Sequence, residues 1–117
     1  MKDFKKLVVW QKSMDLVERV FEVVGKMDMS EKISLGSQIS RSAVSIPSNI
    51  AEGAGPNSDK EFARFLDIAM GSAFELETQL LILNRTNPNL ASIQPDLVEN
   101  TKEIQKMLSG LKRSINN

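Results

Sequence analysis

The chain has 117 residues, enough for one domain with a real core and too few for two, and 41% hydrophobic against 26% charged residues is the balance of an ordinary folded protein. Fifteen basic and fifteen acidic side chains cancel, so no global field draws the chain toward nucleic acid or an anionic membrane, and any charged binding patch must be local. Cysteine, histidine and tyrosine are absent, which excludes disulfides and thiolate chemistry, removes the commonest general base and metal ligand, and argues against an enzyme.

At the N-terminus Lys2, Lys5 and Lys6 surround Phe4, and no apolar run leads to a small-residue cleavage site. No segment reaches the roughly 20 apolar residues of a membrane span. The expectation is a cytoplasmic protein with no membrane contact. Leu7 to Val24 reads as a first helix whose apolar residues Val9, Trp10, Met14, Leu16, Val17, Val20, Phe21, Val23 and Val24 take about half its circumference. A bundle helix needs a stripe of only about 100°, so this face predicts contact on two sides, with two neighbouring helices or with another protomer.

Gly25 to Ser30 breaks the pattern, and Ser30 before Glu31 predicts the start of a second helix. In it Leu35, Ile39, Ala43, Ile46 and Ile50 recur at spacings of four and three. Pro47 sits inside this helix, where it deletes one backbone hydrogen bond and crowds the carbonyl of Ala43, so a kink or an interruption is predicted there. The breaker cluster EGAGPN, Glu52 to Asn57, ends the helix.

Ser58 with Glu61 forms a capping box that opens a third helix, Asp59 to Asn84. Phe62, Phe65, Leu66, Ala69, Ala73, Leu76, Leu80 and Leu83 make its apolar seam, widened by Met70, Phe74 and Leu81. Asn84 to Gln94 reads as a polar loop, with Pro95 in the first turn of a fourth helix carrying Leu97, Ile104, Leu108, Leu111 and Ile115. Four helices on short loops predict an all-α fold, one domain over residues 1–117 packed as an antiparallel up-down-up-down four-helix bundle.

Two features stand apart from the core pattern. Gln38, Arg41, Ser45, Ser48, Asn49 and Glu52 fall on one strip of the second helix beside its apolar face. A solvated face is usually Lys and Glu, whereas this one carries short hydrogen-bonding groups that suit contact with another surface: a neighbouring helix, another protomer, or a ligand or nucleic acid. Glu77 falls within the apolar arc of the third helix and needs a partner, for which Arg41 is the candidate. Glu52, Glu75 and Glu77 lack the histidines of a di-iron bundle, so neither metal nor cofactor is expected. The basic residues nearest the chain ends, Lys2, Lys5, Lys6 and Lys12 with Lys102, Lys106, Lys112 and Arg113, form either a nucleic-acid patch or a solvated helix end.

Phe4, Leu7, Trp10 and Gln11, Gln38-Ile39, Arg41, the run AVSIPSNIAEG from Ala43 to Gly53, Glu61-Phe62, and Gly71-Ser72 with Glu75-Leu76-Glu77 resemble the four-helix-bundle family encoded in intervening sequences of 23S ribosomal RNA genes. The resemblance covers nearly the whole chain, and the SIPSNIAEG run is its most specific part. It implies a bacterial, non-enzymatic bundle that assembles as a homopentamer, akin to the accessory variability protein of diversity-generating retroelements, a pentamer that binds nucleic acid and a reverse transcriptase. Ser40 and Pro56-Asn57 depart from the family's more basic pattern. The expected function is an oligomeric accessory or scaffold protein touching structured RNA or an RNA-processing partner through Lys2, Lys5, Lys6, Lys12 and Arg41. The alternative is a protein-interaction module without nucleic acid, its polar strip holding the oligomer together.

Overall fold

The structure is a computed structural model that describes residues 2–116, and among these no strand occurs. A short 3-10 turn, Phe4–Lys6, leads into α1, Val8–Gly25. A one-turn helix α2, Met29–Glu31, passes through a wide π turn, Lys32–Gly36, into α3, Ser37–Gly53. Then follow α4, Asp59–Thr86, the short α5, Pro88–Ala91, and α6, Leu97–Asn116.

The ends of these helices follow from local chemistry. Both halves of the Ser58–Glu61 capping box form, so α4 starts where the sequence predicts. The cap before α3 is not Ser30 but Asp28, whose carboxylate accepts the Glu31 amide at 2.8 Å. Gly36 closes the π turn because a Cβ there would lie 2.8 Å from Met27 Sδ and 3.3 Å from Val24 Cγ1. The extra residue of that turn also leaves Leu35 half-buried rather than in the core row. The predicted polar loop from Asn84 to Gln94 is partly helical: α4 runs on to Thr86, and Asn87 caps α5 by accepting the Leu90 amide, with Pro88 at its first position. Pro95 lies in the turn before α6, not in its first turn.

At Pro47 the helix is not interrupted. The residue is buried and α3 continues through it to Gly53, so tertiary packing offsets the one missing donor. The core is a single cluster in which Val20, Ala43, Ile46, Ile50, Ala69, Ala73 and Leu76 have essentially no exposed surface. Alanines at the centre of α4 allow neighbouring helices to approach closely, and each buried leucine or isoleucine around them contributes about 1.5–3 kcal/mol. α3 packs against α1 and α4, and α6 packs against the same two helices, so α1 and α4 occupy opposite corners. The molecule is elongated, 44 × 21 × 20 Å, and α4 at about 1.5 Å per residue spans nearly its whole length.

Candidate functional site

The strip predicted on the second helix divides into an inner and an outer half. On the inner half, Asn49 Nδ2 donates to the Ser45 carbonyl at 2.8 Å and to its hydroxyl at 3.0 Å. The Ser45 hydroxyl in turn shares a 2.8 Å hydrogen bond with Ser72 of α4. One turn earlier the buried Ser42 donates to Glu75 Oε1 at 2.6 Å. The Ser45–Ser72 and Ser42–Glu75 bonds join α3 to α4 inside one chain. On the outer half, Gln38, Arg41, Ser48 and Glu52 are exposed.

Arg41 does not meet Glu77. Glu77 is half-buried and accepts a 2.8 Å hydrogen bond from Gln105 of α6. Successive residues of a helix are rotated by about 100°, so two steps along α4 turn Glu75 toward α3 and Glu77 toward α6. Glu75, to which the sequence pattern assigns no role, is the carboxylate that faces the strip. Ser42 was missed too, although it lies three and seven residues before Ser45 and Asn49 and could have been added by extending the row.

The basic residues also separate. The Lys2 amide donates to the Ala54 carbonyl at 2.9 Å, and Lys112 pairs with Asp67 at 2.7 Å, so both ends of the chain lie at the same end of the molecule. Lys5 and Lys6 are exposed there, with the Lys5 ammonium 6.0 Å from the Phe4 ring centroid. Lys12 is engaged by Glu103 of α6. Arg41 takes part in no ion pair among the described residues. A small cleft of about 90 Å³ between α1 and α6, lined by Lys12, Asp15, Arg19, Asn100 and Glu103, holds the unpartnered amide nitrogen of Asn100. Among the described residues no three Asp or Glu side chains converge as metal ligands, and no helix is long and apolar enough to cross a membrane.

Large apolar side chains remain at the surface, chiefly Met14 and Phe21 on α1, Val44 on α3, and Phe74, Leu81 and Ile82 on α4. Met14 and Phe21 on α1 and Phe74 and Leu81 on α4 are among the residues that made the sequence faces too wide for a single stripe.

No curated protein matches the chain. Among solved structures, a protein of unknown function from the S23 ribosomal protein family of Bacteroides thetaiotaomicron VPI-5482 is similar, with a TM-score of 0.78 and 27% identity over 89% of this chain and 97% of that one. The family described as 23S rRNA-intervening sequence protein matches residues 5–110, the span from the N-terminal lysines through most of α6. By that match the chain belongs to the 23S rRNA-intervening sequence protein family.

Proposed function

We propose that this protein is a non-enzymatic accessory or scaffold protein of the cytoplasm that works as a homo-oligomer, of five copies as the family resemblance implies, and contacts structured RNA or an RNA-processing partner. The observation that carries the reading is the apolar surface on opposite corners of the fold: Met14 and Phe21 on α1, Phe74 and Leu81 on α4, each between 42% and 55% exposed. A chain that stays alone in water rarely leaves such rows open. The pairwise contacts of the helices support an antiparallel up-down-up-down arrangement with α2 and α3 as one arm, and a bend of that arm near Pro47 is part of the reading because the proline removes one backbone hydrogen bond.

RNA as partner is supported by the family's link to 23S rRNA intervening sequences and by the exposed cations Lys2, Lys5, Lys6 and Arg41. Lys12 contributes less, because Glu103 already neutralises it. The test is titration of a 23S rRNA fragment with the protein at about 50 mM and about 200 mM salt, since phosphate contacts weaken steeply across that range. Replacing Lys2, Lys5 and Lys6 together by glutamate should lower the slope of log affinity against log salt by about three. Absence of binding at about 50 mM salt would favour the second reading, an interaction module without nucleic acid, which the zero net charge supports.

A further inference from the structure

Phe4, Leu7, Trp10 and Gln11 lie at the edge of the core: the three apolar side chains are half-buried and Gln11 is exposed. All four converge on the 3-10 turn Phe4–Lys6. The Phe4 and Trp10 rings meet edge to face with centroids 5.2 Å apart. The Leu7 amide donates to the Phe4 carbonyl at 3.0 Å, and the Gln11 side chain reaches back to donate to the Lys5 carbonyl at 2.8 Å. With Pro47, Ser48 and Ala51 of α3, Phe4 and Trp10 line an open groove of about 360 Å³ between α1 and α3. Asp3 caps the turn by accepting the Lys5 amide at 3.2 Å, and the Lys2 amide is tied to the Ala54 carbonyl just past α3 at 2.9 Å.

A single 3-10 turn does not hold itself, and a lead into α1 does not need anchoring on α3 as well. What the anchoring fixes is the backbone that carries Lys2, Lys5 and Lys6. All three are exposed, and none forms an ion pair among the described residues. They outnumber Asp3 of the turn and Glu52, which stands two residues before Ala54. The other acids at this end of the molecule are offset: Asp67 by Lys112 at 2.7 Å, Asp59 by the adjacent Lys60, and Glu61, bound into the capping box of α4, by Arg64 in the next turn.

We propose that Phe4 and Gln11 are positioning residues for an anion-binding turn: they hold Lys2, Lys5 and Lys6 in one preformed arrangement, so that the phosphates of an RNA strand are met without first ordering the segment. The inference rests on the RNA reading above and adds what places its lysines. Ordering the backbone of one residue costs about as much free energy as a tenfold change in affinity. A turn already seated on two helices avoids that cost at the moment of binding. Trp10, against which Phe4 seats, is the only tryptophan of the chain, so its fluorescence reports whether the turn is in place.

Phe4→Ala and Gln11→Met each remove one anchor and leave every charge unchanged. Helix content by circular dichroism should match wild type, because neither side chain belongs to the buried core. Binding is read by the anisotropy of a labelled 23S rRNA fragment at about 50 mM salt, where phosphate contacts are strongest. Each variant should bind about tenfold more weakly. Phe4→Tyr, which keeps the ring, should bind as wild type does. Trp10 emission should move to longer wavelength in Phe4→Ala and stay in place in Phe4→Tyr. A contribution to stability alone would leave the affinity untouched, since a weakened chain that is still folded presents the same lysines. Should Phe4→Ala unfold, Gln11→Met, at an exposed side chain, carries the test.

Wild-type affinity in folded Phe4→Ala and Gln11→Met would overturn the positioning role while leaving the RNA reading intact. A wild-type protein that does not bind the fragment at about 50 mM salt would overturn the RNA reading itself, and with it the ligand assigned to the turn.

Discussion

The two flanks of α3 are built from opposite materials and reach opposite states. Toward α4 the flank is polar and closed: Ser42, Ser45 and Asn49 find partners at 2.6–3.0 Å on α4 or on α3 itself. Below them Gly53 is so close to α4 that a Cβ would lie 2.6 Å from the Cβ of Phe65. Toward α1 the flank is apolar and open, with Val44 and Pro47 facing Trp10 and Met14 across the groove. In the sequence these short polar groups suit contact with another surface, and for Ser42 and Ser45 that surface is the neighbouring helix α4. Their hydrogen bonds are already made within the chain. What remains unsatisfied is apolar, and apolar surface gains by being covered whatever covers it.

Filling the closed flank should have the largest effect. Gly53→Val puts a branched side chain where Phe62 and Phe65 already lie within 2.6–3.3 Å of the new Cβ position, and over-packing of this kind costs about 3 kcal/mol. Urea unfolding should show it, with variant and wild type compared at one low protein concentration so that dissociation of copies does not enter the difference. A smaller loss is expected for Ser42→Ala. Its hydroxyl donates to Glu75, but Glu75 is exposed and can turn to water once the hydroxyl is gone, so about 1 kcal/mol should be lost. If Gly53→Val were tolerated without loss, the close approach of α3 and α4 would not be a feature of the folded protein in solution.

Most of the fold was legible in the sequence because most of it is local. The apolar rows of α1, α3, α4 and α6 and the Ser58 capping box are patterns that span no more than a few turns, and they form as read except that Leu35 leaves the α3 row. The α2–α3 entry was harder: a π turn has no periodic signature, and Asp28 rather than Ser30 takes the cap. The partner of Glu77 was out of reach for a different reason. A helical wheel gives the direction of a side chain about its own axis but not which neighbour stands in that direction, and here Gln105 stands where Arg41 was expected. Lys12 shows the same limit, since its acid lies on α6. The wide faces of α1 and α4 did announce themselves in sequence, and Met14, Phe21, Phe74 and Leu81 are the exposed residues that made them wide.

The smallest expected effect is the one that most sharpens the contrast between the flanks. Arg41 is exposed, has no carboxylate partner in the described chain, and projects from the outer half of α3. Arg41→Ala, measured at a protein concentration low enough for the single chain to predominate, should therefore change stability by less than about 0.5 kcal/mol, the range of surface positions away from any specific contact. Ser42, one residue further along, should cost about twice that or more, although the two side chains differ only by a rotation of about 100° around the same helix. The comparison is made on urea midpoints at equal slope, which separates a change in stability from a change in the surface exposed on unfolding. A loss above about 1 kcal/mol for Arg41→Ala would mean that Arg41 has a partner inside the single chain. The outer half of α3 would then be bound up within the chain like the inner half, and Arg41 would no longer be free to meet a partner.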